Sequence, residues 1–233
     1  MRAASAPQPD RSSTRTTATW ILIVANIAVY AFMQIHGGPS ENDPYYLAGV
    51  LYGPYVLQGQ WYRIVTGGFM HASIPHIALN MFALYQLGTF VETILGGWRM
   101  LVVYAISLVG GGLAVVYFSP DEPTVGASGA IFGLFGTLFA IGLRLGKPGR
   151  DLIARTLPVL ALNLVFTFAV PSISKAGHIG GLLSGFVAGL AFYAMRPRRT
   201  AAAALVVDGA TGEAAEAELL PPESEPHAPQ PHA

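Results

Sequence analysis

The chain has 233 residues, of which 52% are apolar types and only 11% are Asp, Glu, Lys or Arg, with a formal net charge of zero. That charged share is about half what a soluble domain carries, so the bilayer is the expected solvent, and scattered basic residues leave no electrostatic footprint for nucleic acid. The absence of cysteine excludes disulfides, thiolate metal sites and a cysteine nucleophile.

Residues 1–17 are polar, with Pro, Ser, Thr, Arg2, Arg11 and Arg15, and are expected to form a disordered cytoplasmic arm. An apolar run from Ala18 to Ile35 is about long enough to span, and no small-residue cleavage site follows it. The segment from His36 to Pro75 is long for a connection and carries Tyr45, Tyr46, Tyr52, Tyr55, Trp61 and Tyr62. Such rings suit the headgroup level or the packing of a folded loop. Further apolar runs cover about His76–Leu95, Met100–Phe118, Ser128–Leu143, Leu152–Val170 and His178–Met195. They lack the period-2 alternation of barrel strands, and hydrocarbon requires every backbone polar group to be paired, so the expected fold is all-α: a polytopic membrane bundle of six transmembrane helices over residues 18–195. Eleven of the thirteen Lys and Arg residues fall on the side of the termini, with Arg63 and Lys175 opposite. Both termini of a multi-pass cell-membrane protein are therefore expected in the cytoplasm. Residues 196–233 read as a basic stop followed by a disordered acidic tail.

Two helix starts carry reactive side chains: Gly126-Ala127-Ser128-Gly129 and Gly177-His178-Ile179-Gly180-Gly181. A serine alone in a membrane helix usually bonds back to a carbonyl one turn earlier, and a histidine at depth is either functional or an interhelical donor. Their depths agree. Ser128 stands about 24 Å of helix from Arg144, and His178 about 27 Å from Arg196, against a hydrocarbon core of about 30 Å. Gly129, Gly133 and Gly136 on one helix and Gly181, Gly185 and Gly189 on the other form small-residue seams that permit close approach, by themselves generic packing. A serine hydroxyl needs a base, and imidazole has the right pKa near neutrality. Neither run contains a carboxylate, so a Ser128/His178 dyad is the simplest arrangement. Phe132 shares the face of Ser128 and either packs on the imidazole or belongs to the core. His76 and Asn80, at i and i+4, share a face and either serve an oxyanion along with the Ser128 N–H or tie helices together. Pro75 suits the first turn of that helix.

In combination these motifs resemble the rhomboid family of intramembrane serine proteases. Tyr62-Arg63 in the outer loop, His76 to Asn80, Gly126 to Gly129, and His178 with Gly181 and Gly185 stand in the family's order, and His71 and Glu92 to Gly96 match its extra histidine and ExxxG turn. The resemblance implies Ser128 as nucleophile, His178 as base and then acid, and His76, Asn80 and the Ser128 N–H as oxyanion hole. Arg63 and Glu92 are implied to be structural, with Gly126, Gly129, Phe132 and Gly181 around the site. It implies single-span membrane-protein substrates, cut near the outer membrane face after a small residue, with the lipid bilayer as partner and no cofactor or metal; it implies no oligomeric state. Tyr62 replaces a frequent Trp and Phe132 a frequent Tyr. A catalytically inactive relative acting as an adaptor is the main rival, though such proteins have lost the Ser or the His; a transporter lacks its inverted repeat, a zinc protease its H-E-x-x-H, and an aspartyl protease its intramembrane Asp.

Overall fold

The computed structural model describes residues 16–40 and 42–195, so the arm, all but its last two residues, and the tail at 196–233 lie outside the described residues. Among the described residues are six apolar helices: α1 (Thr17–Ile35), α5 (Ile74–Leu95), α6 (Gly97–Phe118), α7 (Ser128–Gly142), α8 (Lys147–Ala169) and α9 (Lys175–Ala194). Five of them are long and apolar enough to cross a membrane, and α7, at 15 residues, is shorter. The chain is a multi-pass helical membrane bundle, as expected. Its short member is tolerated because α7 runs through the middle: nearly all of its side chains are buried against α5, α6, α8 and α9, so protein rather than lipid satisfies it.

Local chemistry sets the helix ends. Ser73 accepts a hydrogen bond from the His76 N–H and Pro75 occupies the first turn of α5. Gly96, at φ +83°, breaks the chain between α5 and α6 in a conformation that favours glycine. Three starts differ from expectation by three residues or more, with α6 beginning at Gly97 rather than Met100. The α8 helix begins at Lys147 rather than near Leu152, and α9 at Lys175 rather than His178, because Pro148 is pre-set for a first turn and Ser174 caps α9 by accepting from the Gly177 N–H. His178 thus lies one turn inside its helix.

The α7–α9 seam is the tightest junction. A Cβ on Gly181 would meet the Gly129 backbone, one on Gly185 the Gly133 backbone, and one on Gly136 the Leu182 carbonyl. Thr137 Oγ1 donates across the seam to the Gly185 carbonyl at 2.8 Å. By contrast α8 packs mainly through Leu152, Thr156, Leu160 and Thr167, with Leu162, Val165, Phe166 and Phe168 exposed on its outer face.

The outer segment folds into three short helices, α2 (Pro44–Gly49), α3 (Gly53–Leu57) and α4 (Arg63–Gly67). Arg63 is buried among them: its Nη1 donates to the Leu47 and Val50 carbonyls at 2.6 and 2.9 Å, its Nε to Gln60 Oε1 at 2.8 Å, and its guanidinium lies over the Tyr55 and Tyr62 rings. An antiparallel bridge between Leu51 and Thr124 pins this segment to the α6–α7 connection. Tyr45, Trp61 and Tyr62 remain exposed.

At the opposite end Glu92, 5% exposed, accepts from the Ala18 N–H, the Thr19 N–H and Thr19 Oγ1 at 2.9, 2.8 and 2.7 Å. A carboxylate there satisfies the orphan donors of α1 and meets the positive end of its dipole, which joins the start of α1 to the end of α5.

Candidate active site

The seam delivers two side chains to one place. Ser128 is the first residue of α7 and His178 the fourth of α9, and the glycine contact one turn below sets the helix separation there. Ser128 Oγ lies 2.8 Å from His178 Nε2. The imidazole is 7% exposed and stacks on Phe132, with centroids 4.0 Å apart and planes 17° from parallel. Phe132 does both things its position allowed: it lies against the His178 imidazole and also packs with Phe135 and Leu160.

His76 approaches from α5. A Cβ on Gly126 would stand 2.8 Å from both Cε1 and Nε2 of His76 and 3.8 Å from Ser128 Oγ, so the ring and the hydroxyl both border the space where a side chain at 126 would stand. Gly126 has φ +125°, and its N–H donates to the Gly67 carbonyl. That left-handed residue turns the chain into α7 while leaving no side chain between His76 and Ser128. Asn80 is buried, and its Nδ2 donates to the His76 carbonyl at 2.9 Å. An amide nitrogen carries two hydrogens, so one remains for another acceptor. The structure thus brings Ser128, His178, Phe132, Gly126 and His76 together, while Arg63 and Glu92 stand apart as braces.

The N–H groups of the first turn of α7, Ser128 and Gly129 included, have no carbonyl four residues behind them in the helix and carry the positive end of its dipole. A cavity of about 30 Å³, large enough for a water, opens beside Ser128 and is lined by Gly111, Gly112, Gly129, Leu108 and Val115.

Sequence reasoning missed two neighbours. Thr167, buried on α8, places its Oγ1 2.8 Å from His178 Nδ1. Its only signal was a polar pair, Asn163 and Thr167, four apart in an apolar run. His71, noted only as a motif match, is fully buried with its ring edge-on to His76 at 5.1 Å, and its Nδ1 faces the Phe69 carbonyl. Burial first, and then the nearby His76 charge, pull its pKa down from 6.5 to about 4, so it is neutral at physiological pH.

Residues 58–195 match the family model described as the Rhomboid domain. The chain is 36% identical over 182 residues to the Rhomboid protease GluP of Bacillus subtilis, covering 76% of this chain and 35% of that protein. It is 30% identical over 172 residues to Rhomboid-like protease 3 of Toxoplasma gondii (71% of this chain, 65% of that one), and 28% identical over 203 residues to Rhomboid protease AarA of Providencia stuartii (75% and 72%). The chain therefore spans about a third of the length of GluP and roughly two thirds of the other two.

Proposed function

The chain belongs to the rhomboid family, and from that premise we propose that it is an intramembrane serine endopeptidase cutting transmembrane segments of single-span proteins near the outer membrane face. The observation that carries the proposal is the 2.8 Å contact between Ser128 Oγ and His178 Nε2 at the end of a glycine-tight helix pair.

In this mechanism His178 Nε2 takes the Ser128 proton as Oγ attacks the scissile carbonyl carbon. The carbonyl oxygen becomes an oxyanion, facing the N–H groups of Ser128 and Gly129, the His76 ring and the free Asn80 N–H. Fixed donors aimed at charge that develops only in the transition state are usually the largest single contribution to such a rate. The imidazolium then returns its proton to the leaving amine as the C–N bond breaks, leaving an ester on Ser128. Water, deprotonated by the same nitrogen, hydrolyses that ester and restores the hydroxyl. Phe132 holds the ring face so that Nε2 stays aimed through both proton transfers.

The glycine-lined cavity beside Ser128 suits a methyl-sized side chain before the cleaved bond. Ser128 and His178 lie near the starts of α7 and α9, and Arg144 lies beyond the other end of α7, so a cytoplasmic placement of that basic residue puts the site on the outer half. The test is incubation of the purified chain in detergent with a model single-span substrate. Native protein cuts it near the outer boundary, whereas Ser128→Ala does not; equal cleavage by both would overturn the proposal.

A further inference from the structure

The second nitrogen of the base is also engaged. Thr167 Oγ1 lies 2.8 Å from His178 Nδ1 and 2.7 Å from the Asn163 carbonyl one turn earlier on α8. A hydroxyl has one proton to give, and a backbone carbonyl can only accept. The proton therefore goes to Asn163, and Oγ1 presents a lone pair to Nδ1. Only an Nδ1–H satisfies that lone pair; the opposite tautomer sets two lone pairs against each other at hydrogen-bond distance. With the proton on Nδ1, Nε2 is bare and faces Ser128 Oγ, which is the form able to accept the nucleophile's proton.

We propose that Thr167 is a positioning residue that holds His178 in the Nδ1–H tautomer and remains its acceptor when the imidazolium forms. The inference rests on the proposed Ser128/His178 dyad. It gives a neutral hydroxyl, backed by the Asn163 carbonyl, the place that a carboxylate takes in soluble triads. A buried carboxylate in this setting would bear a large desolvation cost that a hydroxyl avoids. Placement agrees with the role: Thr167 is fully buried, while its neighbours Phe166 and Phe168 are exposed on the outer face of α8. Because α8 touches α9 sparsely, this bond is a principal polar tie between the base and that helix.

Two substitutions separate this role from packing. Thr167→Val keeps the shape and removes the hydroxyl; Thr167→Ser keeps the hydroxyl and removes the methyl. On substrate cleavage in detergent, Thr167→Val should lower kcat about 10- to 100-fold, the worth of one hydrogen bond to an ion, with KM within about 2-fold, and Thr167→Ser should stay within about 3-fold of native. Valine near native with serine impaired means packing and overturns the proposal. A second measurement needs no folded variant at this position: ¹⁵N resonances of ring-labelled native protein, assigned to His178 by their loss in His178→Gln, should report a protonated Nδ1 and a bare Nε2 at neutral pH. A protonated Nε2 with bare Nδ1 overturns the proposal. If Ser128→Ala still cleaves, the dyad fails instead, and the resonances still decide the tautomer.

Discussion

Replacing Gly181 by alanine adds one methyl group at the point where α9 meets α7. Its Cβ would overlap the Gly129 carbonyl oxygen and stand 2.7 Å from the carbonyl carbon and 3.1 Å from the Cα, where ordinary contact begins at 3.4 Å. All of these are backbone atoms inside a buried helix, so no side chain can turn away, and clearing the carbonyl oxygen makes the helices part by more than about 1 Å, at a cost of about 1–3 kcal/mol for an overpacked interior. Ser128 is next to Gly129 and His178 is one turn above Gly181, so the dyad feels most of that displacement. Its 2.8 Å contact would stretch past about 3.5 Å, beyond the range of a useful hydrogen bond. A misplacement of about 1 Å can cost about 10²-fold in rate. Gly181→Ala is therefore expected to fold, to melt a few degrees lower, and to cleave a model substrate about 10²-fold more slowly. Leu183→Ala, at an exposed position two residues on, is the control and should retain native activity. Native cleavage by a folded Gly181→Ala would refute the claim that helix separation sets the dyad geometry.

Reporter fusions at Met1 and Ala233 should both report the cytoplasm, from the bias of basic residues towards that side; an external signal at either end would break the six-helix topology. Glu92→Gln keeps the shape but withdraws an anion from three donors at the start of α1, and should lower stability by about 1.5–3 kcal/mol, read as a reduced melting temperature with the dyad still reactive; an unchanged melting point would deny it the capping role. His71 titrates at about 4 when folded and at 6.5 otherwise, so the unfolded chain binds the extra proton between those values. Its contribution is present above pH 6.5 and is lost as pH falls towards 4, by up to about 1.4 kcal/mol per pH unit. His71→Asn should flatten the fall in melting temperature between pH 7 and 5, and an equally steep fall would show the sensitivity lies elsewhere. Removing residues 200–233 should leave cleavage largely intact, because the apolar residues of that stretch are mostly alanine, with few large side chains to pack on the bundle; loss of activity in a folded truncation would make the tail part of the enzyme.

Much of the bundle was legible because a membrane leaves so few choices. Runs of apolar residues become helices, and a helical rise of about 1.5 Å converts residue counts into depth, which put Ser128 and His178 level before any contact was known. Glycines three or four apart marked the faces of α7 and α9 that do meet. Helix starts were harder, since Lys147 and Lys175 carry charge into first turns that hydropathy assigns to loops. The helices α2 to α4 are too short for a periodic signal and were read only as an aromatic loop. The roles of Arg63 and Glu92 came from resemblance alone, because both act through backbone groups of segments distant in the chain. Thr167 was invisible for a related reason. A threonine in an apolar helix usually bonds back to its own carbonyl, as this one does, and only the fold reveals that its lone pair also faces an imidazole.

In the proposed mechanism His178 activates Ser128. A fluorophosphonate probe reacts with base-activated serines, so the most direct measurement is its labelling of the purified full chain, with the modified residue identified by peptide mass. Modification is expected at Ser128 in the native protein, none in Ser128→Ala, and severely slowed labelling in His178→Ala, whose serine proton has no acceptor. Labelling of folded His178→Ala at the native rate would contradict that mechanism.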